Sequence, residues 1–272
     1  MTRDYAEILG IKTFYAKVGG GGPPVVLMHG SSPGACTEVS WQRNINAIAD
    51  AGFTVYAFDQ PGFGDSDHPD DFSLEFRIDH GKAFLGTFAM QRPVLVGNSM
   101  GGYMAARIAG GDEGAAGLVL VSTVPLAARA ESEPDSGESV HAEVLGAFEP
   151  GLENMRKLTS GTIFDPAKVT EELVRLRHEM SSGKRHEAQK KMRAARTGKR
   201  PDVPFGKLPT TLIVWGAQDG SVGMERAVSL CQKLPGSRLH VFNGCGHWPQ
   251  WEYPDEFNGL ISQFAGLCAG GH

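Results

Sequence analysis

The chain has 272 residues, 41% hydrophobic and 21% charged, with a net charge of −5. That length suffices for one α/β domain with a sizeable core and an insertion, and the mildly acidic balance leaves no electrostatic footprint for nucleic acid. No apolar run approaches the roughly 18 residues of a membrane span, and the opening Met1-Thr2-Arg3-Asp4-Tyr5 does not read as a signal peptide, so a cytoplasmic location is expected.

In chain order, Ala6–Leu9 and Lys12–Val18, split by Gly10, read as a hairpin. Val25–Met28 is a buried strand ending at His29-Gly30, followed by a helix over about Ser40–Ala51 and a strand Thr54–Asp59. A loop from Gln60 to Ser66 leads to a helix Ser73–Phe88, then to the strand Pro93–Val96, a helix from Tyr103, and the strand Leu118–Ser122. From 126 to 205 the pattern is helical with no convincing strand, including the amphipathic Val169–Met180. The acidic stretch 131–137 within it is punctuated by Pro and Gly. Strands resume at Thr211–Trp215 and Arg238–Phe242, with helices near Met224–Lys233 and Asp255–Leu267. Short apolar strands alternating with helices predict a mainly parallel sheet covered on both faces. The predicted division is a core over 1–124 and 207–272 with a helical cap over 125–206. The basic cluster from Lys184 to Arg200 is expected to be a solvated helix face.

Gly97-Asn98-Ser99-Met100-Gly101-Gly102 stands between a strand and a helix, the Gly-x-Ser-x-Gly signature of a nucleophile elbow. Glycines make room where the chain doubles back, and the helix start favours developing negative charge. A serine needs a base, and the base an orienting acid, expected here in the order Ser, acid, His on loops after strands. Asp219, in Trp215-Gly216-Ala217-Gln218-Asp219-Gly220, and His247, in Gly244-Cys245-Gly246-His247-Trp248, meet that order. The oxyanion donors are then the amide of Met100 and that of Ser31, with Ser32 the second choice, and His29 ties its loop together instead of acting as the base. The cysteines at 36, 231, 245 and 268 are scattered, and Cys245-Gly246-His247 lacks further ligands at metal spacing, so neither a metal nor a disulfide framework is expected.

The chain resembles the α/β-hydrolases and, within that fold, the meta-cleavage product hydrolases, carbon–carbon bond hydrolases of aromatic degradation. The resemblance is carried by His29-Gly30-Ser31-Ser32-Pro33-Gly34-Ala35, the elbow, Trp215–Asp219, and the stretch Leu239–Phe242 through Cys245-Gly246-His247-Trp248-Pro249-Gln250-Trp251-Glu252 to Phe257-Asn258. It implies an eight-stranded, mostly parallel sheet with an inserted helical cap, Ser99, Asp219 and His247 as the triad, no cofactor, and a homo-oligomer (dimer or larger) acting on a small molecule. It also implies that Asn98 and Trp248 contact substrate and that Arg177, ending a segment Thr170–Arg177, binds the carboxylate and 2-hydroxyl end. Family members commonly carry Gly where Ser32 stands and Asn where Ser40 stands, so those two implied contacts have altered chemistry here. The expected reaction is hydrolysis of a carbon–carbon bond in a 2-hydroxy-6-oxo-hexa-2,4-dienoate type substrate. A carboxylesterase or thioesterase is the alternative on the same triad, and a non-catalytic ligand sensor the reading from another class.

Overall fold

The structure, a computed structural model, describes residues 1–111, 114–126, 148–195 and 200–270. Strands β1 (Thr2–Ile8) and β2 (Ile11–Val18) form the hairpin, with Leu9 and Gly10 both at positive φ (50° and 76°), the geometry of a two-residue turn that matches strand twist. Next come β3 (Pro24–Met28), α1 (Thr37–Trp41), α2 (Ile45–Asp50), β4 (Thr54–Phe58), α3 (Leu74–Thr87), β5 (Val94–Asn98), α4 (Met100–Ala109) and β6 (Gly117–Val121). Helices α5 (Leu152–Ser160), α6 (Glu171–Glu179) and α7 (Lys184–Ala194) follow, before β7 (Thr211–Gly216), α8 (Glu225–Lys233), β8 (Arg238–Phe242), α9 (Pro249–Glu252) and α10 (Pro254–Gly270).

The eight strands form one sheet in the order β1-β2-β4-β3-β5-β6-β7-β8, antiparallel at β1–β2 and β2–β4 and parallel elsewhere. The central strands are buried on both faces, which is why they read as apolar runs without alternation. Alternate side chains still go to opposite faces. Leu27, Val96 and Val121 meet Trp41, Ile48 and Phe257 from α1, α2 and α10, whereas Val26, Leu95 and Leu120 meet Phe84, Tyr103 and Leu230 from α3, α4 and α8. The chain runs outward from β3 in one direction through β4 and in the other through β5 to β8, so a crevice forms where β3 and β5 end side by side, with Met28 opposite Gly97.

The single helix expected over Ser40–Ala51 is instead two. α1 starts early, at Thr37, whose amide donates to the buried Asp59 carboxylate at 2.6 Å. The break falls at Asn44, whose side-chain amide donates to Gln250 O and to Asn258 Oδ1 (3.0 and 2.8 Å), bonds across the molecule that compete with continuing the helix.

Helices α5, α6 and α7 lie between β6 and β7, and no strand occurs among the described residues from 126 to 205. The segment 128–140 falls outside the described residues. The inserted helices join the core through backbone groups. Glu252 accepts from the amides of Phe164 and Asp165 (both 3.1 Å) and from that of Gly246 (2.7 Å), while His247 N donates to Thr162 O at 2.8 Å. Apolar contact between Trp248, Trp251 and Val39 on one side and Ile163 and Leu173 on the other completes the joint. No helix of the described residues is long and apolar enough to cross a membrane.

Two buried imidazoles make this fold acid-sensitive. Burial holds His29 down at about 3, against the help of its bond to Gly30, and His80 at about 4. Both lie below the unfolded value of about 6.5, so the unfolded chain binds more protons and the stabilisation present above that value is lost as pH falls from 6.5 towards 4. Urea midpoints should fall over that range, and His80→Asn should lower the slope by close to one proton; an unchanged slope would contradict the assignment.

Candidate active site

The elbow is built from backbone lying on backbone. A Cβ on Gly97 would stand 2.3 Å from Gly101 O, and one on Gly101 would stand 2.3 Å from Met28 O and 2.5 Å from His29 O. With both positions bare, β5 turns directly into α4 against the end of β3. Ser99, between them, takes φ 55° and ψ −120°, a conformation L-residues seldom adopt, and its amide donates to Val121 O at 2.9 Å. Gly30, whose own Cβ would stand 3.2 Å from Ser99 Cβ, lets the following loop pass close by.

His247 follows β8 and Asp219 follows β7. His247 Nδ1 donates to Asp219 Oδ2 at 2.8 Å, which leaves Nε2 as the basic nitrogen. Asp219 Oδ1 accepts from the amides of Ser221 and Val222 (2.8 and 3.0 Å), so the carboxylate both closes its own turn and orients the imidazole. Burial alone raises the Asp219 carboxyl, but His247 and those two amides outweigh it and hold the group below its ordinary value. Ser99 and His247 open on one cavity, which Ser31 and Met100 also line. Met100 is the first residue of α4, so its amide lies outside the helix's own hydrogen-bond ladder and on the positive end of its dipole.

His29 sits under this loop, donating from Nδ1 to Gly30 O (2.7 Å) and accepting at Nε2 from Gln60 N (3.0 Å). Ser32, Ser40, Asn98 and Trp248 line the cavity. The Asn98 amide also bonds Val121 O and His247 O (3.2 and 3.3 Å), tying the histidine loop to the sheet. Arg177 departs from its expected place as a lining residue: it is fully buried directly behind the wall. Its guanidinium donates to Thr159 Oγ1 (2.9 Å), Pro33 O (3.2 Å) and Ser32 Oγ (3.4 Å), and lies 4.7 Å over the Trp248 ring. Burial pushes it down to about 9, which keeps it protonated at neutral pH.

The Lys184–Arg200 cluster is not a solvated face throughout. Glu187, Lys190 and Lys191 are exposed, but Gln189, Met192 and Arg193 line the cavity together with Arg200. The signal was the spacing of Gln189, Met192 and Arg193, which share one side of a helix and include its one large apolar residue. Net charge masked it. Among the described residues no group of three or more His, Cys, Asp or Glu side chains is arranged to hold a metal ion.

The elbow geometry predicts a stability effect. Ser99→Gly releases a strain of about 1–3 kcal/mol against roughly 0.5–1 kcal/mol of added chain entropy. It should therefore raise unfolding free energy by about 1 kcal/mol, whereas Ser99→Ala should not; urea titration of both variants decides it.

Residues 25–260 match the model of the alpha/beta hydrolase family. The chain is 31% identical over 264 residues to the 2-hydroxy-6-oxononadienedioate/2-hydroxy-6-oxononatrienedioate hydrolase of Burkholderia vietnamiensis (strain G4), covering 93% of this chain and 91% of that one. It is 30% identical over 264 residues to an enzyme of that name, hydrolase 2, from Pseudomonas putida, covering 94% and 92%. The fold superposes on the meta-cleavage product hydrolase of Pseudomonas fluorescens IP01 with a TM-score of 0.84 at 28% identity, over 97% of each chain. It superposes equally on the 2-hydroxy-6-oxo-6-phenylhexa-2,4-dienoate hydrolase of Rhodococcus sp. strain RHA1, with a TM-score of 0.85 at 24% identity over 96% and 97%. A strained serine elbow, a buried His–Asp pair and relatives aligned over nine-tenths of the chain lead to one conclusion: the chain belongs to the alpha/beta hydrolase family and, within it, to the meta-cleavage product hydrolases.

Proposed function

We propose that the protein is a serine-dependent hydrolase that cleaves a carbon–carbon bond in 2-hydroxy-6-oxo-hexa-2,4-dienoate type ring-fission products of aromatic degradation. The observation that carries the chemistry is the His247–Asp219 pair at 2.8 Å, opening on the same cavity as Ser99. The relatives named for dienedioate substrates favour this reaction over simple ester hydrolysis.

In this reading the dienol first ketonises, moving a proton to C5 and leaving ketones at C2 and C6. Ser99, losing its proton to His247 Nε2, adds to the C6 carbonyl. The oxyanion is met by the amides of Ser31 and Met100 at the head of α4, donors already in place before charge develops. The C5–C6 bond then breaks, its electron pair delocalising towards the C2 ketone, and 2-hydroxypenta-2,4-dienoate departs with a proton returned by imidazolium. Water activated by His247 hydrolyses the resulting ester and restores Ser99. Asp219 keeps Nδ1 protonated and steadies the imidazolium.

The inserted helices, as a cap over 125–206, shield these steps from solvent. Ser32, Ser40, Asn98 and Trp248 line the substrate space, and Arg177 supplies positive potential for the C1 carboxylate from immediately behind Ser32. The proposal extends to a cytoplasmic enzyme assembled as a dimer or larger, on the strength of the family resemblance.

Loss of dienoate absorbance in the steady state tests the mechanism. Ser99→Ala and His247→Ala should each lower kcat by about a thousandfold or more, with folding verified by circular dichroism. Full activity in either variant overturns the proposed roles. Arg177→Gln should act mainly on KM, because its charge serves binding more than the reacting bond.

A further inference from the structure

Two residues at the ends of neighbouring strands hold backbone that L-residues seldom adopt. Ser99, after β5, has φ 55°, and Ser122, after β6, has φ 43°. The elbow accounts for the first. The second belongs to neither the triad nor the cavity wall, and the buried Ser122 hydroxyl has no partner among the described residues. Its backbone is what matters. The Ser122 amide is fixed on Val214 O at 2.9 Å, and the chain bends there so that Thr123 and Val124 both reach back to the elbow.

Both land on one atom, the carbonyl oxygen of Ser99. The Thr123 hydroxyl donates to it at 3.0 Å and the Val124 amide at 3.4 Å. The amides of Gly102 and Tyr103 reach the same oxygen from the first turn of α4, at 3.0 and 3.4 Å, as is ordinary for the residue that opens a helix. A hydroxyl from another strand is not ordinary, and room is left for it. A Cβ on Gly102 would stand 2.4 Å from Thr123 Oγ1 and 2.8 Å from Thr123 Cβ. The last glycine of the elbow is therefore bare for Thr123, whereas Gly97 and Gly101 are bare for backbone.

The carbonyl of Ser99 and the amide of Met100 belong to one peptide unit, which is planar, with C=O and N–H pointing in opposite directions. Donors that grip the oxygen therefore fix which way the Met100 N–H faces. They also polarise it, because a proton held on the carbonyl draws electron density from the amide nitrogen and bonds in such a chain strengthen one another. We propose that Thr123 is a positioning residue for the oxyanion donor, acting through the Ser99–Met100 peptide to aim and strengthen the Met100 N–H. This rests on the reading of Ser99 as the nucleophile and is independent of which carbonyl Ser99 attacks. Thr123 is itself 2% exposed and does not line the cavity, so its part is separate from substrate binding.

The test uses an alkyl trifluoromethyl ketone, whose carbonyl carbon takes Ser99 Oγ into a hemiketal while the serine proton passes to His247. The oxyanion so formed stands where that of the reaction would, and fluorine NMR across a pH titration reads the pKa of the bound hemiketal. Thr123→Val, which keeps the shape and loses the hydroxyl, should raise that pKa by about one. Steady-state kcat on a 6-oxo dienoate should fall about tenfold with KM unchanged, less than the loss of a whole oxyanion donor. Thr123→Ser should restore most of both. Should Thr123→Val fail to fold by circular dichroism, Thr123→Ala carries the same comparison. An unchanged hemiketal pKa in the variant without the hydroxyl overturns the proposal. So does a fall in kcat matched by an equal rise in KM, because a merely loosened pocket would move both. A wild type that forms no hemiketal counts against Ser99 as the nucleophile, and the role of Thr123 falls with it.

Discussion

Two backbone segments touching without a Cβ between them set the geometry of this protein. Gly101 lies against the carbonyls of Met28 and His29, and Gly97 against that of Gly101. Because β3 and β5 are parallel neighbours in register at Met28 and Gly97, this contact brings the loop after β3 beside the residue after β5. Ser99 is then forced into the left-handed half of φ space, with its side chain raised towards the cavity and its amide bound to β6. The strain at one residue is held by the surrounding parallel strands, which are buried on both faces.

The imidazole is positioned by a different device. Asp219 sits in a turn that its own carboxylate closes, and that same carboxylate has its second oxygen on His247. A residue type common in turns for local reasons therefore does a second, distant task. Asn98 ties the histidine loop back to the sheet from the other side, and Thr162 holds its backbone from the insertion. His247 is thus gripped by three separate chain segments before any ligand enters.

Much of this was legible in the sequence. The strands are apolar runs of the expected length, and the elbow, Asp219 and His247 occupy loops whose order and glycine content announce them. What was not legible depended on packing between distant segments. The break at Asn44 follows from bonds to Gln250 and Asn258, over two hundred residues away in sequence, which no local propensity encodes. Arg177 was found as a residue but not in its place, since whether a guanidinium lines a wall or backs it depends on Thr159 and Pro33. The Lys184–Arg200 run misled for a simpler reason. A basic helix normally faces water, and only a cavity on its inner side makes Gln189 and Arg193 inward residues.

The hold of the inserted helices on the histidine loop uses their main-chain groups: the amides of Phe164 and Asp165 on Glu252, and the carbonyl of Thr162 on the His247 amide. Main-chain groups are the same whatever side chain a position carries. The insertion can therefore exchange the residues it shows to the substrate without loosening its hold on the histidine loop. The side chains that α7 turns to the cavity and the bonds that align His247 are thus different groups of the same segment, so the first can change without touching the second.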